Sequence, residues 1–230
     1  MLALLFPVFL AAAVEVERVL ALVNGVPILQ SDVDLAEVAA LVPRQPGESD
    51  AGYHKAIVVA LVDLELRWQD LEAAAISSRV PVDMDAAWRA TQKRVGGEEE
   101  LLLRLAGIGL DEAAVRGLVR RAAIVEAYVS TRFGPFVRPT AQEVEKTWQD
   151  ELVPKLRAAG KPVVDLAEVK AQVEALLRER KLTAEVERWT SDLAKRAEIV
   201  VYAVPAPGPA PTPSATPTPP NARTPDARGP

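Results

Sequence analysis

The 230-residue chain is long enough for one domain with a sizeable core, and its 49% hydrophobic content excludes disorder throughout. A net charge of −5 leaves no basic surplus to neutralise phosphates, which argues against a nucleic-acid partner. The sequence has no cysteine, so disulfides, thiolate metal sites and a cysteine nucleophile are excluded.

Residues 1–14, MLALLFPVFLAAAV, form an uncharged apolar run, shorter than the roughly 20 residues that a bilayer-spanning helix needs. Ala11, Ala12 and Ala13 supply the small residues of a signal-peptidase site, so the run reads as a cleavable export signal. A buried N-terminal segment is the alternative, because no Lys or Arg precedes Arg18. Stable membrane insertion is not expected.

Residues 19–23 and 26–29 are short β-like runs around Asn24-Gly25, a dipeptide that accepts positive φ in a tight hairpin turn. Ser31 is placed to cap a helix over residues 32–42, with Asp32 and Asp34 favoured by its dipole. The Pro43-to-Gly47 stretch, PRQPG, stops that helix. A second helix over residues 51–75 follows, capped by Ser49 or Asp50. Tyr53, Ile57, Ala60, Leu61, Leu64, Trp68 and Leu71 recur along it every three or four residues, and Val58, Val59, Val62 and Leu66 widen the stripe, so this is the expected central helix.

Asp83 opens a helix carrying Met84, Ala87, Trp88 and Val95, ended by Gly96-Gly97. Glu98 to Glu100 begin a shorter one with Leu101, Leu102, Leu103 and Leu105. The Gly107-Ile108-Gly109 that follows reads as a helix stop. A phosphate loop would need a preceding strand and a third glycine or a lysine at fixed spacing. Residues 110–132 form another helix, with Val115, Leu118, Ala122, Val125 and Val129 on one face and Arg116, Arg120 and Arg121 on a solvated one. Thr140 and Glu143 make a capping box for a helix bearing Val144, Trp148 and Leu152. After a connection over residues 154–165, a long helix spans residues 166–197 and a strand residues 198–202. That strand is expected to pair with residues 19–23 or 26–29, because a two-stranded hairpin is marginal alone. The fold class is therefore mostly α with a small antiparallel sheet built from both ends of the chain. Ten of the 19 prolines lie beyond residue 203, so residues 203–230 read as a disordered Pro-rich tail.

Three segments together resemble the SurA family of periplasmic chaperones. The first is Val23-Asn24 with Gly25-Val26-Pro27-Ile28-Leu29 and Ser31-Asp32-Val33. The second is the PTAQEVEKTWQDE run from Pro139 to Glu151, and the third is the long helix with Trp189, Leu193 and Ala197 leading into the last strand. The resemblance implies a SurA N-terminal-like domain over residues 15–202, with residues 166–202 folding back on it, and a periplasmic location. It also implies partners: unfolded or nascent exported polypeptides, including outer-membrane proteins, held in apolar grooves without ATP. In the family, the chain leaves for a parvulin isomerase domain near the PTxxEVExxW segment. Here that insert is missing, so no catalytic residue and no cofactor is expected.

His54, the only histidine, reads as a surface residue near a helix start, because a zinc site needs further ligands. No GxSxG elbow offers a serine for a triad. Trp68, Trp88, Trp148 and Trp189 lie at apolar helix spacing and are core residues first. Trp88 and Trp148 are the candidate peptide-binding residues, since amphipathic rings suit a surface that receives varied apolar segments. Two rival readings stand beside the chaperone: a peptidyl-prolyl isomerase with a cryptic site, and an adaptor that docks a partner through its Pro-rich tail.

Overall fold

The computed structural model describes residues 17–202. The proposed signal segment, residues 1–14, and the tail, residues 203–230, lie outside them. The fold is mostly helical, with one three-stranded antiparallel sheet in the order β2-β1-β3. Strands β1 (Val19–Val23) and β2 (Val26–Leu29) form the hairpin, and β3 (Ile199–Val201) returns from the far end to the other side of β1. Asn24 and Gly25 adopt φ of 51° and 82°, the paired positive values of a tight hairpin turn.

Helix α1 (Gln30–Val38) starts earlier than expected. Ser31 is not its cap: the Ser31 N–H donates to Glu17 Oε1 at 3.1 Å, and Asp32 Oδ2 instead accepts from the Leu29 N–H at 2.8 Å. The helix also ends at Val38, before the proline stretch, as Ala40 turns to φ 48°. Central helix α2 (Asp50–Ala73) is capped by Ser49, whose Oγ accepts from the Gly52 N–H at 3.1 Å. Asp83 and Asp111 cap α3 (Met84–Val95) and α5 (Glu112–Phe133) in the same way. Between them lies α4 (Glu98–Gly107), which ends where the glycines predict, with Gly109 at φ 69°.

The main core is built on α2. Its buried Ile57, Val58, Leu61 and Leu71 pack with Leu20 and Val23 of β1, Val33 and Ala36 of α1, Leu101 and Leu105 of α4, and Val115 and Ile124 of α5. A second, smaller core joins Val144, Trp148 and Val173. It lies between α6 (Ala141–Thr147), α7 (Val153–Ala158) and the first half of α8 (Leu166–Ala194). Residues 154–158, expected within the connection between helices, are helical. Pro154 explains the irregular join, because it has no N–H and its ring crowds the preceding turn. The backbone widens over Trp148–Leu152, where the Val153 N–H reaches the Trp148 carbonyl five residues back.

Helix α8, about 43 Å long by its 29 residues, belongs to both cores. Its second half is fixed to α2 and α5. Trp189 Nε1 donates to Asp70 Oδ2 at 3.2 Å, Arg67 Nε donates to Thr190 Oγ1 at 2.8 Å, and the Trp189 ring lies 5.6 Å from Tyr128 and 5.8 Å from Phe133.

Asn24 joins three parts of this fold. Its Oδ1 accepts from the Glu198 N–H at 2.9 Å, and its own N–H donates to the Glu198 carbonyl at 2.8 Å. Its Nδ2 donates to Gln69 Oε1 at 2.7 Å on α2. Gln69 Nε2 in turn donates to the Val23 carbonyl and to Glu65, and the buried Glu65 pairs with Arg121 on α5 at 3.1 Å. Substituting Asn24→Gly keeps a residue suited to positive φ and deletes only the side-chain bonds. Urea denaturation should show a loss of about 1 kcal/mol or more; an unchanged midpoint would reduce Asn24 to a turn residue.

Candidate apolar binding surface

The packing of α3 across α5 leaves an open groove of about 210 Å³ that residues after α1 help to line. Ala87, Ala90, Leu118 and Ala122 line it, and Ala39 and Leu41 complete the floor. The small side chains of α3 and α5 leave the space. Arg94 and Glu126 stand on its rim, and Arg94 Nη2 donates to Oγ1 of the buried Thr91 at 3.0 Å. Such a channel admits one or two apolar side chains and offers polar groups of both signs at the margin.

Helix α4 adds a second apolar surface. Leu101 and Leu105, four residues apart, face the core, and the 100° step of a helix turns the neighbouring leucines away. Leu103 is 67% exposed, with Leu102 and Ile108 also outside. Their exposure was legible in the spacing, since a helix of this length cannot bury four leucines of which three are consecutive. Phe136, in the single turn after α5, is the most exposed large hydrophobic residue among those described, at 77%.

The two tryptophans proposed for peptide contact stand elsewhere. Trp88 and Trp148 are each only 8% exposed. Trp88 packs into the main core beneath the Arg116 guanidinium, which sits 4.0 Å from the ring centroid. Trp148 belongs to the small core. In this conformation neither ring is open to a partner. Two arginines expected on a solvated face are likewise engaged, Arg116 on Trp88 and Arg121 on Glu65. His54 is a correction: it is buried rather than on the surface, and its Nε2 lies 2.9 Å from Glu37 Oε2, joining α2 to α1. The residue faces inward because the helix start it occupies is covered by α1, which no local pattern reveals.

Among the described residues no three His, Cys, Asp or Glu side chains gather as a metal-binding group, and no helix is long and apolar enough to cross a membrane. Comparison with protein-family models finds no match, and a search of curated proteins finds no significant one.

The α6–α7 arm is held to α8 by two ion pairs as well as by its core. Lys181 Nζ lies 2.7 Å from Glu143 Oε1, and Arg180 Nη1 lies 2.8 Å from Glu151 Oε2. The hydrogen bond from Lys181, then those from the Thr140 backbone and hydroxyl, lower the Glu143 carboxyl from its ordinary 4.5 to about 2. A depressed carboxylate stabilises the fold above its unfolded pKa, and that contribution fades as pH falls toward the folded value. A carbon-detected NMR titration of Glu143 should therefore have its midpoint near 2, and Lys181→Met should raise it. An unshifted midpoint in the parent protein would remove the arm's acid sensitivity.

Proposed function

We propose that this protein is an ATP-independent periplasmic chaperone, a holdase that shields apolar segments of unfolded exported polypeptides, outer-membrane proteins among them. The observation that carries the reading is the surface left outside two satisfied cores: the apolar outer face of α4, with Leu102, Leu103 and Ile108, and the α3–α5 groove of mixed apolar and polar lining. An apolar patch on a folded domain marks a place where another chain is received. Supporting it are the sequence resemblance to the SurA family and the sheet that brings the two ends of the domain together, the arrangement that resemblance implies.

Mechanistically, the surface works by transient burial. An unfolded client exposes apolar side chains that would otherwise meet those of another client. A leucine or aromatic residue laid in the groove or against α4 removes part of that area from water, at roughly 25 cal/mol per Å². Contacts of this size hold weakly and release by dissociation, which suits a client that must go on to fold. The reading calls on no nucleotide, metal or cofactor and gives no residue a catalytic role.

The test is aggregation suppression of an urea-unfolded outer-membrane protein on dilution, measured by light scattering beside a proline-limited refolding assay. The parent protein should suppress scattering without accelerating refolding. Leu103→Glu and Ala90→Asp, both at exposed positions, should each weaken suppression several-fold while leaving the thermal midpoint within about 1 °C, as surface changes do. Full suppression by both variants would remove the binding surface proposed here, and faster refolding would favour the isomerase reading.

A further inference from the structure

Helix α4 carries an outward seam. Each residue turns a helix by about 100°, so Glu99, Leu102, Leu103 and Ala106 share one arc, away from the buried Leu101 and Leu105. All four are exposed. Their spacing, i, i+3, i+4 and i+7, is that of a helix laid against a second helix. Ala106 and Gly107, at the end of the seam, are small enough for another backbone to come close.

The flank of the seam indicates the occupant. Arg104 and Glu100 stand there one turn apart, both exposed, with Arg104 Nε donating to Glu100 Oε1 at 2.7 Å. Among the described residues that bond engages Nε alone, which leaves the Nη donors for a second carboxylate. In an antiparallel pair of α4 helices about a two-fold axis, Leu102 of each copy comes level with Leu103 of the other. Arg104 then comes level with Leu101, one residue from Glu100, so each Arg104 meets the Glu100 of the second copy. A parallel pair would bring each charge against its own like and stack the two Glu98-Glu99-Glu100 starts. The charges of α4 are thus complementary to themselves in one orientation only, which is what an isologous contact requires.

We propose that α4 is the site of a transient, two-fold self-association in which the outer leucines of two copies cover one another. If α4 also receives clients, as the proposed function holds, pairing stores that face while no client is present. Area decides that the pairing is transient. The ten residues of α4 span about 15 Å. A contact of that length falls well below the roughly 800 Å² per copy of a stable interface. Its dissociation constant is then on the order of 100 µM, weak enough for a longer apolar segment to displace the second copy.

Sedimentation velocity of the full-length protein, from about 10 µM to about 1 mM to bracket that constant, tests this. The weight-average mass of the parent should rise with concentration toward that of a dimer, and Leu103→Glu should hold it at the monomer. Arg104→Glu keeps the leucines but sets glutamates against each other across the axis, and should weaken pairing at least about fivefold. The charge-exchanged Glu100→Lys/Arg104→Glu chain should pair as the parent does. Thermal midpoints within about 1 °C of the parent show that each variant is folded. A parent that stays monomeric throughout would overturn the proposal, even if it suppresses client aggregation. So would a dimer that survives Leu103→Glu, or a charge-exchanged chain that pairs no better than Arg104→Glu. Pairing that follows this charge pattern in a protein that does not suppress aggregation would support the α4 contact and remove the client reading alone.

Discussion

Strand β1 is hydrogen-bonded on both sides, to β2 from the next turn of the chain and to β3 from the other end of the domain. Among the described residues nothing else ties positions so far apart in sequence through backbone bonds. The hairpin alone would be marginal, and β3, three residues long, has no stability of its own. Each becomes worthwhile only when the other is present, and both rest on α2 through Leu20 and Val23. The Asn24 side chain adds a polar seam to this apolar contact, reaching β3 and α2 from one turn residue. Closing so long a loop slows folding, since its entropy is lost before the contacts form. It also makes the sheet a test of completeness, because an unfinished chain lacks its third strand.

Helix α8 carries the second constraint. Its C-terminal half is locked by Trp189, Thr190 and Leu193 against α2 and α5, while its N-terminal half holds the α6–α7 arm through a small core of Val144, Trp148 and Val173. The two halves thus differ in how firmly they are held. On α2, beside the locked half of α8, Arg67 and Asp63 sit 3.4 Å apart and partly buried. Desolvation lowers the guanidinium pKa and raises the carboxyl pKa, so each shift runs against the direction that pairing alone would give. The pair therefore contributes position more than stability, and the neighbouring Arg67–Thr190 bond holds α8 in register.

Much of the fold was legible in the sequence because each signal had a local cause. Ser49 and Asp83 cap the helices they precede, and Thr140 with Glu143 forms the full reciprocal box. The Asn-Gly turn and the glycine stops after α3 and α4 follow the same logic, whereas the last strand was expected on the hairpin without the choice between its two strands, which the structure resolves in favour of β1. What escaped depended on contacts between elements. Ser31 is displaced as a cap because the Asp32 carboxylate reaches the Leu29 amide first. The inward position of His54 depends on where α1 lies, and the burial of Trp88 on an arginine from α5. The candidate surface was legible only in part. Apolar spacing cannot tell a ring that fills a core from one that awaits a partner, so the aromatic residues drew attention and the outer leucines of α4 did not.

Because β1 and β3 run antiparallel, Val19 and Tyr202 lie at the same end of the sheet, where Tyr202 bonds to Leu20. The two flanking segments therefore depart from one pole of the molecule, with paired Cα atoms about 5 Å apart. A pull applied between them would load the ladder one rung at a time, as a zipper, and not all rungs together in shear. Mechanical resistance along that axis should be slight even where chemical stability is ample, and traction from either end would peel β3 away before it disturbed the helices.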